Sequence, residues 1–213
     1  MIVERKSPAY YPAMHKLLVP ASLLTFFIAA RALAAPSLRD GDIIFHTSRS
    51  SQSAAIQRAT HSRYSHVGLV LYREGKPFVF EAISTVRYTP LASWIARGDD
   101  GRYVVKRLKK TLTPEQVRKL SAAAEKYAGK PYDLYFEWSD ARIYCSELVW
   151  KAYREALGIE IGTRQKLRDF NLSDPVVKSK MRERYGTRIP LDEPVISPAA
   201  QFESPLLETV ESR

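Results

Sequence analysis

The chain has 213 residues, of which 45% are hydrophobic and 26% charged, and its formal net charge is +10. These values are typical of a globular protein and exclude a disordered or fibrous chain, and the length indicates one domain with a terminal extension. The single cysteine excludes an intramolecular disulfide and a zinc site built mainly from cysteines.

The first 34 residues have the pattern of a secretory signal peptide. A basic head precedes a mainly apolar stretch at residues 17–30, and the small residues Ala32 and Ala34 follow it. As a helix that stretch would rise roughly 21 Å, less than the ~30 Å core of a bilayer. We predict cleavage after Ala34, which would leave residues 35–213 as one exported domain in the periplasm or another extracytoplasmic space. An uncleaved membrane anchor and a start codon placed too far upstream are the alternatives.

The predicted mature chain is basic. Removing residues 1–34 takes away four basic side chains and one acidic side chain, which leaves a net charge of +7. The excess lies in residues 102–119 and 164–188 and would suit a cell wall or an anionic membrane surface, or a set of solvated helix faces. We expect no nucleic-acid partner, because an exported chain without an aromatic and basic RNA motif does not fit that role.

Strand and helix patterns follow one another along the mature segment. Strands are predicted at residues 41–45, 66–72, 77–83 and 102–108, the second and third forming a hairpin around Gly75. Helices are predicted at residues 50–59, 90–96, 114–127, 145–157 and 174–185.

Turn and cap residues support these bounds. A serine-rich segment predicts a side-chain cap for the first helix, Thr89 caps the second, and Thr113 with Gln116 forms a capping box for the third. Residues 133–143 have no regular pattern, and the proline-rich tail predicts extended packing over the surface. The sum is an α+β fold, in which a small, mainly antiparallel sheet packs against segregated helices.

Cys145 falls in the first turn of its predicted helix. Unpaired backbone N–H groups and the positive end of the helix dipole stabilise a thiolate there, and the thiolate is the nucleophilic form of the side chain. The same N–H groups can stabilise an oxyanion after attack on a carbonyl. A buried structural thiol is the alternative, because free cysteine is among the most buried residue types.

A thiol nucleophile needs a base that is held by a third group. His66 begins a predicted strand and shares a face with Gly68. A turn around Gly75 pairs Gly68 with Glu81, which places Glu81 diagonal to His66 with no side chain at Gly68 to obstruct their approach. A slip of one residue in the register would turn Glu81 to the other face of the sheet.

Other residues fit the same roles less specifically. His61 is the alternative base and His46 a weaker one, and each also fits a surface or turn histidine. Tyr132 and Tyr144 precede the cysteine, and either can supply a hydroxyl to the site or pack in the core.

The motifs around the cysteine resemble a known family. Gly-Lys-Pro-Tyr at residues 129–132 and Tyr-Cys-Ser-Glu-Leu-Val at residues 144–149 are similar to the nucleophile region of NlpC-type cell-wall hydrolases. In those enzymes the histidine follows the cysteine, whereas here no histidine follows Cys145, and His66 precedes it in Tyr-Ser-His-Val-Gly at residues 64–68. That order resembles the circularly permuted branch, the YiiX/YaeF-like permuted papain-like amidases, which are distant relatives of the lecithin–retinol acyltransferases.

The resemblance covers nearly the whole predicted mature chain and implies a permuted papain-like fold with the nucleophile at a helix N-terminus. It implies Cys145 as nucleophile, His66 as general base and Glu81 as the third member of the site. Glutamate at the third position departs from relatives that have histidine or asparagine there. The candidate substrate-binding residues are three tyrosines in or next to these motifs: Tyr132, Tyr144 and Tyr64.

Three functions are compatible with these residues. The first is hydrolysis of an amide through a thioester intermediate, with exported cell-wall peptide or a related small amide as substrate. The second is a lipid ester or amide hydrolase or acyltransferase, which the acyltransferase relatives, the basic surface and aromatic residues such as Trp138 and Trp150 would also suit. The third is a non-enzymatic protein that binds an amino acid or a lipid. We expect no cofactor, because the sequence has no phosphate-binding loop and no metal-ligand cluster.

Overall fold

A computed structural model of the chain describes residues 38–213, so the predicted signal peptide lies outside the described residues. The strands are β1 (Ile43–His46), β2 (His66–Arg73), β3 (Lys76–Ala82), β4 (Val86–Pro90), β5 (Val104–Leu108), β6 (Gln165–Lys166), β7 (Pro194–Val195) and β8 (Leu207–Ser212). The helices are α1 (Ser53–Thr60), α2 (Leu91–Ala96), α3 (Pro114–Glu125), α4 (Cys145–Leu157), α5 (Pro175–Tyr185) and α6 (Pro198–Phe202).

The main sheet has six strands in the order β4-β3-β2-β1-β5-β8, and every neighbouring pair is antiparallel. The predicted hairpin between β2 and β3 is confirmed, and Glu74 and Gly75 at its turn both have positive φ, as a tight two-residue turn requires. Leu69 pairs with Phe80. The same register brings Gly68 opposite Glu81, so these two residues are aligned as the turn predicts.

Side chains alternate between two apolar layers on the faces of the sheet. On one face Phe45, Leu69 and Phe80 belong to a buried cluster with residues of α3 and α4, such as Leu120 and Leu148. This cluster fixes the start of α4 against β2. The mixed α+β class and the helices packed on the sheet therefore agree with the sequence-based expectation.

The opposite face is covered by a smaller cluster. Ile44, Val70 and Val79 pack there with the fully buried Trp94 of α2. Because Trp94 sits under the end of the sheet where β1 ends and β2 begins, it supports the histidines of both strands.

A third apolar cluster joins α4 to the C-terminal part of the chain. Tyr144 and Trp150 pack against Val177 and Met181 of α5 and against Ile196. This cluster places α5 and the segment after β7 beside the start of α4.

Two predicted helix caps are wrong. Thr89 does not cap α2, because Thr89 and Pro90 end strand β4, where a β-branched threonine fits well, and the Thr89 hydroxyl donates to Glu81. Helix α1 begins at Ser53 after Gln52, which makes no side-chain cap hydrogen bond, so the predicted serine cap is absent. The capping box that begins α3 is confirmed.

The tail is more regular than its prolines predict. It forms β7, α6 and β8, and β8 pairs with β5 at an edge of the main sheet. Ser197 caps α6 and Pro198 occupies its first position, where a missing N–H has no helical partner to lose. Among the described residues, no helix is both long enough and apolar enough to cross a membrane.

Substituting Gly68→Ala tests the close approach of β2 and β3. A Cβ at Gly68 would lie 2.3 Å from Cγ1 of Val79, and a β-branched neighbour has few rotamers with which to move away. We expect a loss of about 1–3 kcal/mol in the free energy of unfolding, measured by urea denaturation.

The matched control is Gly75→Asn, because space is open around Gly75 and asparagine tolerates its positive φ. If the two variants lost equal stability, the close approach at Gly68 would not be the constraint that we infer.

Candidate active site

The first turn of α4 is anchored on both sides of Cys145. Tyr144 precedes the helix in an extended conformation, and its N–H donates to the Glu147 carboxylate at 3.3 Å. The Tyr144 hydroxyl accepts a hydrogen bond from the N–H of Ile196 at 3.1 Å, and the Ser146 hydroxyl donates to the Ile196 carbonyl at 2.8 Å. The C-terminal segment therefore holds the residues on either side of the thiol.

Cys145 is buried, with 3% of its surface exposed. Burial alone would raise the pKa of its thiol, but the charge and hydrogen bond of His66, together with the backbone N–H groups of Val67 and Ser146, lower it below the ordinary value. The thiol therefore ionises more readily than a free cysteine, and the thiolate is the reactive form.

His66 connects the thiol to a carboxylate. Its Nε2 lies 2.6 Å from Oε2 of Glu81, which leaves Nδ1 as the ring nitrogen available for the interaction with the thiol of Cys145. Burial opposes a charge on the ring, but Cys145 and Glu81 outweigh burial and raise the pKa of His66 to about 9. At neutral pH these shifts favour an imidazolium next to a thiolate.

Glu81 has no solvent exposure. Its second oxygen, Oε1, accepts a hydrogen bond from Thr89 Oγ1 at 2.6 Å and another from the guanidinium of Arg97. Burial would raise the pKa of this carboxyl, but the hydrogen bond and charge of His66, then Thr89 and Arg97, lower it. The carboxylate is thus held ionised toward His66.

The two alternative histidines take no part in the hydrogen bonds of His66 and Glu81. His46 pairs with His66 across β1 and β2 and stacks on Trp94 with ring centroids 3.8 Å apart. Burial, then the charges of His66 and Arg97, lower the pKa of His46 to about 2, so it stays neutral. His61 is exposed at the C-terminal end of α1. Neither ring is hydrogen-bonded to the thiol.

Tyr132 lines the same cleft as the thiol and is held by a further set of hydrogen bonds. Its hydroxyl oxygen accepts from Nε2 of Gln52 at 2.8 Å, and the Gln52 carbonyl accepts from the guanidinium of Arg184. Burial and the charge of Cys145 raise the pKa of Tyr132. The hydroxyl therefore keeps its proton, and because Gln52 occupies an acceptor lone pair, that proton is free to be donated.

The other two predicted tyrosines are placed differently. Tyr144 lines a cleft beside Cys145, but its hydroxyl is engaged with Ile196. Tyr64 packs against Phe45 and Phe202 and is not among the residues that line the clefts at Cys145 and His66.

Sequence reasoning did not find Gln52, Thr89, Arg97 or Arg184. Each lies far along the chain from Cys145 and carries no motif of its own, and only the folded sheet and α5 bring them together. One signal was available for these residues. If Glu81 is buried, its carboxylate needs hydrogen-bond donors, so the fold must bring donor side chains to it.

A mainly apolar cleft opens beside the thiol. It lies between α1, α5 and the segment after β7, with Cys145 and Tyr132 at one end. The apolar side chains that form its walls include Ala59, Phe136, Phe170, Val177, Met181 and Ile196.

The family of this chain follows from a match that covers most of its sequence. Residues 37–211 match the model of a family described as "Permuted papain-like amidase enzyme, YaeF/YiiX, C92 family". The chain belongs to this family. Membership makes it a thiol hydrolase of the amidase type and confirms the permuted papain-like fold that the order of histidine and cysteine implied.

Two relatives in this family are similar over most of the chain. The uncharacterized protein YiiX of Escherichia coli (strain K12) is 57% identical over 170 residues, which cover 80% of this chain and 84% of that protein. A solved structure, titled as metalloprotein yiiX from Escherichia coli O157:H7, is 56% identical, with a TM-score of 0.81, and the match covers 82% of this chain and 97% of that one.

The pH dependence of Cys145 alkylation by iodoacetamide tests the paired thiol and imidazole. We expect rapid labelling well below the ordinary thiol pKa of about 8.5, because the charge of His66 stabilises the thiolate. In His66→Ala the profile should move toward higher pH, since that charge is gone.

His61→Ala is the matched control and should label like the unmodified protein, because His61 is exposed and makes no contact with the thiol. Labelling with an ordinary thiol pKa, unchanged in His66→Ala, would contradict the pairing.

Proposed function

We propose that this protein hydrolyses an amide bond through Cys145, His66 and Glu81, with a thioester intermediate. The observation that carries the proposal is that buried His66 is hydrogen-bonded to Glu81 at 2.6 Å and interacts with the thiol of Cys145, each shifting the pKa of the other, at the N-terminus of α4. A nucleophile, a base and a group that orients the base are the three parts that such a reaction needs.

The first half of the reaction forms the thioester. The Cys145 thiolate attacks the carbonyl carbon, and the negative charge moves to the carbonyl oxygen. Backbone N–H groups of the first turn of α4 and the Tyr132 hydroxyl stabilise this oxyanion. The proton on Nδ1 of His66 passes to the leaving nitrogen, the C–N bond breaks, and the amine departs.

The second half releases the acid. Neutral His66 takes a proton from water, and the oxygen attacks the thioester carbonyl. The C–S bond breaks and the thiolate is restored beside the imidazolium. Throughout, Glu81 accepts the hydrogen bond from Nε2, which keeps the ring oriented and stabilises its charged form.

The cleft beside the thiol supports an apolar acyl group on the substrate. Most of the side chains in its walls are apolar, and burying methylene groups from water against them contributes about 0.8 kcal/mol each. This observation favours lipid-derived amides, with lipid ester hydrolysis or acyl transfer as the second candidate function. Cell-wall peptides are the comparison substrates in the experiments below.

A metal has no evident place in this scheme. The solved relative is titled a metalloprotein. Within residues 38–213 of the present chain, no three His, Cys, Asp or Glu side chains come together as a metal-binding group. The side chains of these residues therefore do not supply the ligands of a metal centre, and no step of the proposed reaction uses a metal.

We also propose export to the periplasm or another extracytoplasmic space. The support is the basic, then apolar, then small-residue pattern of residues 1–34. The basic surface would then face a cell wall or an anionic membrane.

Hydrolysis of N-decanoyl 4-nitroanilide, followed by nitroaniline absorbance, tests the proposed chemistry. Cys145→Ser and His66→Ala should each lower kcat/KM by at least about 10³-fold, because the members of such a group act as a unit. Activity should fall as pH rises through about 9, where His66 loses the proton that it gives to the leaving nitrogen.

The variant Glu81→Gln distinguishes the effect of the Glu81 charge on His66 from its effect on the orientation of the His66 ring. The amide retains the shape of the side chain but not its anion, so the pKa that limits activity on the alkaline side should drop below that of the unmodified enzyme. An unchanged alkaline limit would show that Glu81 does not act on the base. Binding of ligands without turnover, unaffected by Cys145→Ala, would instead favour a binding protein.

A larger side chain in the apolar cleft tests whether this cleft binds the acyl group of the substrate. In Ala59→Phe, kcat/KM for the decanoyl substrate should fall by about tenfold or more, since several methylene groups lose their place. The matched short substrate, N-acetyl 4-nitroanilide, should be affected by less than about twofold, because its acyl group does not reach the filled part of the cleft.

Equal losses on both substrates would contradict an acyl site in this cleft. Values of kcat/KM for muropeptides, measured in parallel, show whether cell-wall peptide is a better substrate than the acyl 4-nitroanilides.

A further inference from the structure

A second cleft shares Gln52, Tyr132, Lys180 and Arg184 with the first one, and the rest of its lining is more polar. It opens on the side of His66 and Arg97, beneath the loop that follows β1. Most of the first cleft is lined by apolar side chains. Two basic side chains, Arg49 and Arg97, line the second cleft alone, and two more, Lys180 and Arg184, lie where the two clefts meet.

The charges in this second cleft do not balance. Lys180 is paired with Glu183 at 2.6 Å, and Arg97 is paired with the buried Glu81. Arg184 donates to the neutral amide of Gln52. Within residues 38–213, no carboxylate forms an ion pair with Arg184.

Arg49 adds to this excess. It is exposed and has no hydrogen-bond or ion-pair partner within residues 38–213, although its charge acts on the nearby Asp100. The second cleft therefore has a positive potential that attracts anions.

The chemistry of the site assigns a side of the substrate to each cleft. The carbonyl carbon must reach Sγ of Cys145, and the leaving nitrogen must lie where His66 can protonate it. Because Cys145 lines the apolar cleft and His66 lines the basic one, the acyl group extends into the first cleft and the amine into the second.

We propose that the leaving amine carries an anionic group, so that the substrate is an N-acyl amino acid or an N-acyl amine with a phosphate, held by Arg49 and Arg184. This inference deepens the proposed function and rests on it. Carboxylate and phosphate share the chemistry that an arginine recognises, two oxygens that accept from its planar N–H groups. A neutral leaving amine of the same size would leave these cations without a partner.

The test is ligand binding to the full-length Cys145→Ala protein, measured by calorimetry. The probes are N-decanoylglycine, N-decanoyl-O-phosphoethanolamine and the neutral N-decanoylglycinamide, which share one acyl chain. We expect one of the anionic probes or both to bind roughly tenfold more tightly than the neutral probe, with the preference decreasing as salt is added. The tighter of the two anionic probes identifies the source of the charge.

A matched pair of double variants locates the preference. Arg49→Gln with Arg184→Gln should remove it, whereas Arg118→Gln with Arg182→Gln removes the same charge from exposed positions outside the cleft and should keep it. Equal affinity for all three probes, or a preference that survives loss of Arg49 and Arg184, would overturn the inference.

Turnover of the same probes by the unmodified enzyme separates this inference from the proposed function. Hydrolysis of all three probes at equal kcat/KM would retain the amidase and overturn the anionic site. An anionic preference in binding with no hydrolysis of any probe would overturn the amidase, and with it the assignment of the anion to a leaving amine.

Discussion

Glu81 is a carboxylate with no solvent exposure inside the main sheet, and much of the surrounding structure serves to accommodate its charge. An ion in such a place is costly unless its oxygens are paired and hydrogen-bonded. Its partners come from three elements: His66 from the start of β2, Thr89 from the end of β4, and Arg97 from just beyond α2. The hairpin register, the path of β4 and the position of α2 are thus coupled to the orientation of a single imidazole.

The thiol side of the site depends on a different kind of contact. Cys145 is placed by apolar packing of α4 on the sheet and by hydrogen bonds from the segment around Ile196 to both of its neighbours in the chain. That segment also walls the apolar cleft, together with α5. The same residues therefore position the proposed nucleophile and shape the space for its substrate, so a change in that wall should affect both reactivity and selectivity.

Local signals in the sequence predicted much of this arrangement. Gly75 fixed the hairpin register that aligns Gly68 with Glu81, and the pattern after Tyr144 predicted a helix that begins at Cys145. Thr89 was misassigned as a cap because its real partner, Glu81, is brought to it only by strand pairing. Gln52, Arg97 and Arg184 escaped notice for the same reason, and β8 was hidden because edge pairing with β5 depends on a strand that lies far earlier in the chain.

The order of these parts along the chain has a consequence for biosynthesis. A ribosome delivers His66 and Glu81 first, then Cys145, and only near the end the segment around Ile196 that anchors the first turn of α4 and closes the apolar cleft. A nascent chain that has exposed all three groups of the proposed site still lacks the contacts that hold the thiol in place. Assembly of the site therefore waits for the segment around Ile196, not for any of its three proposed members.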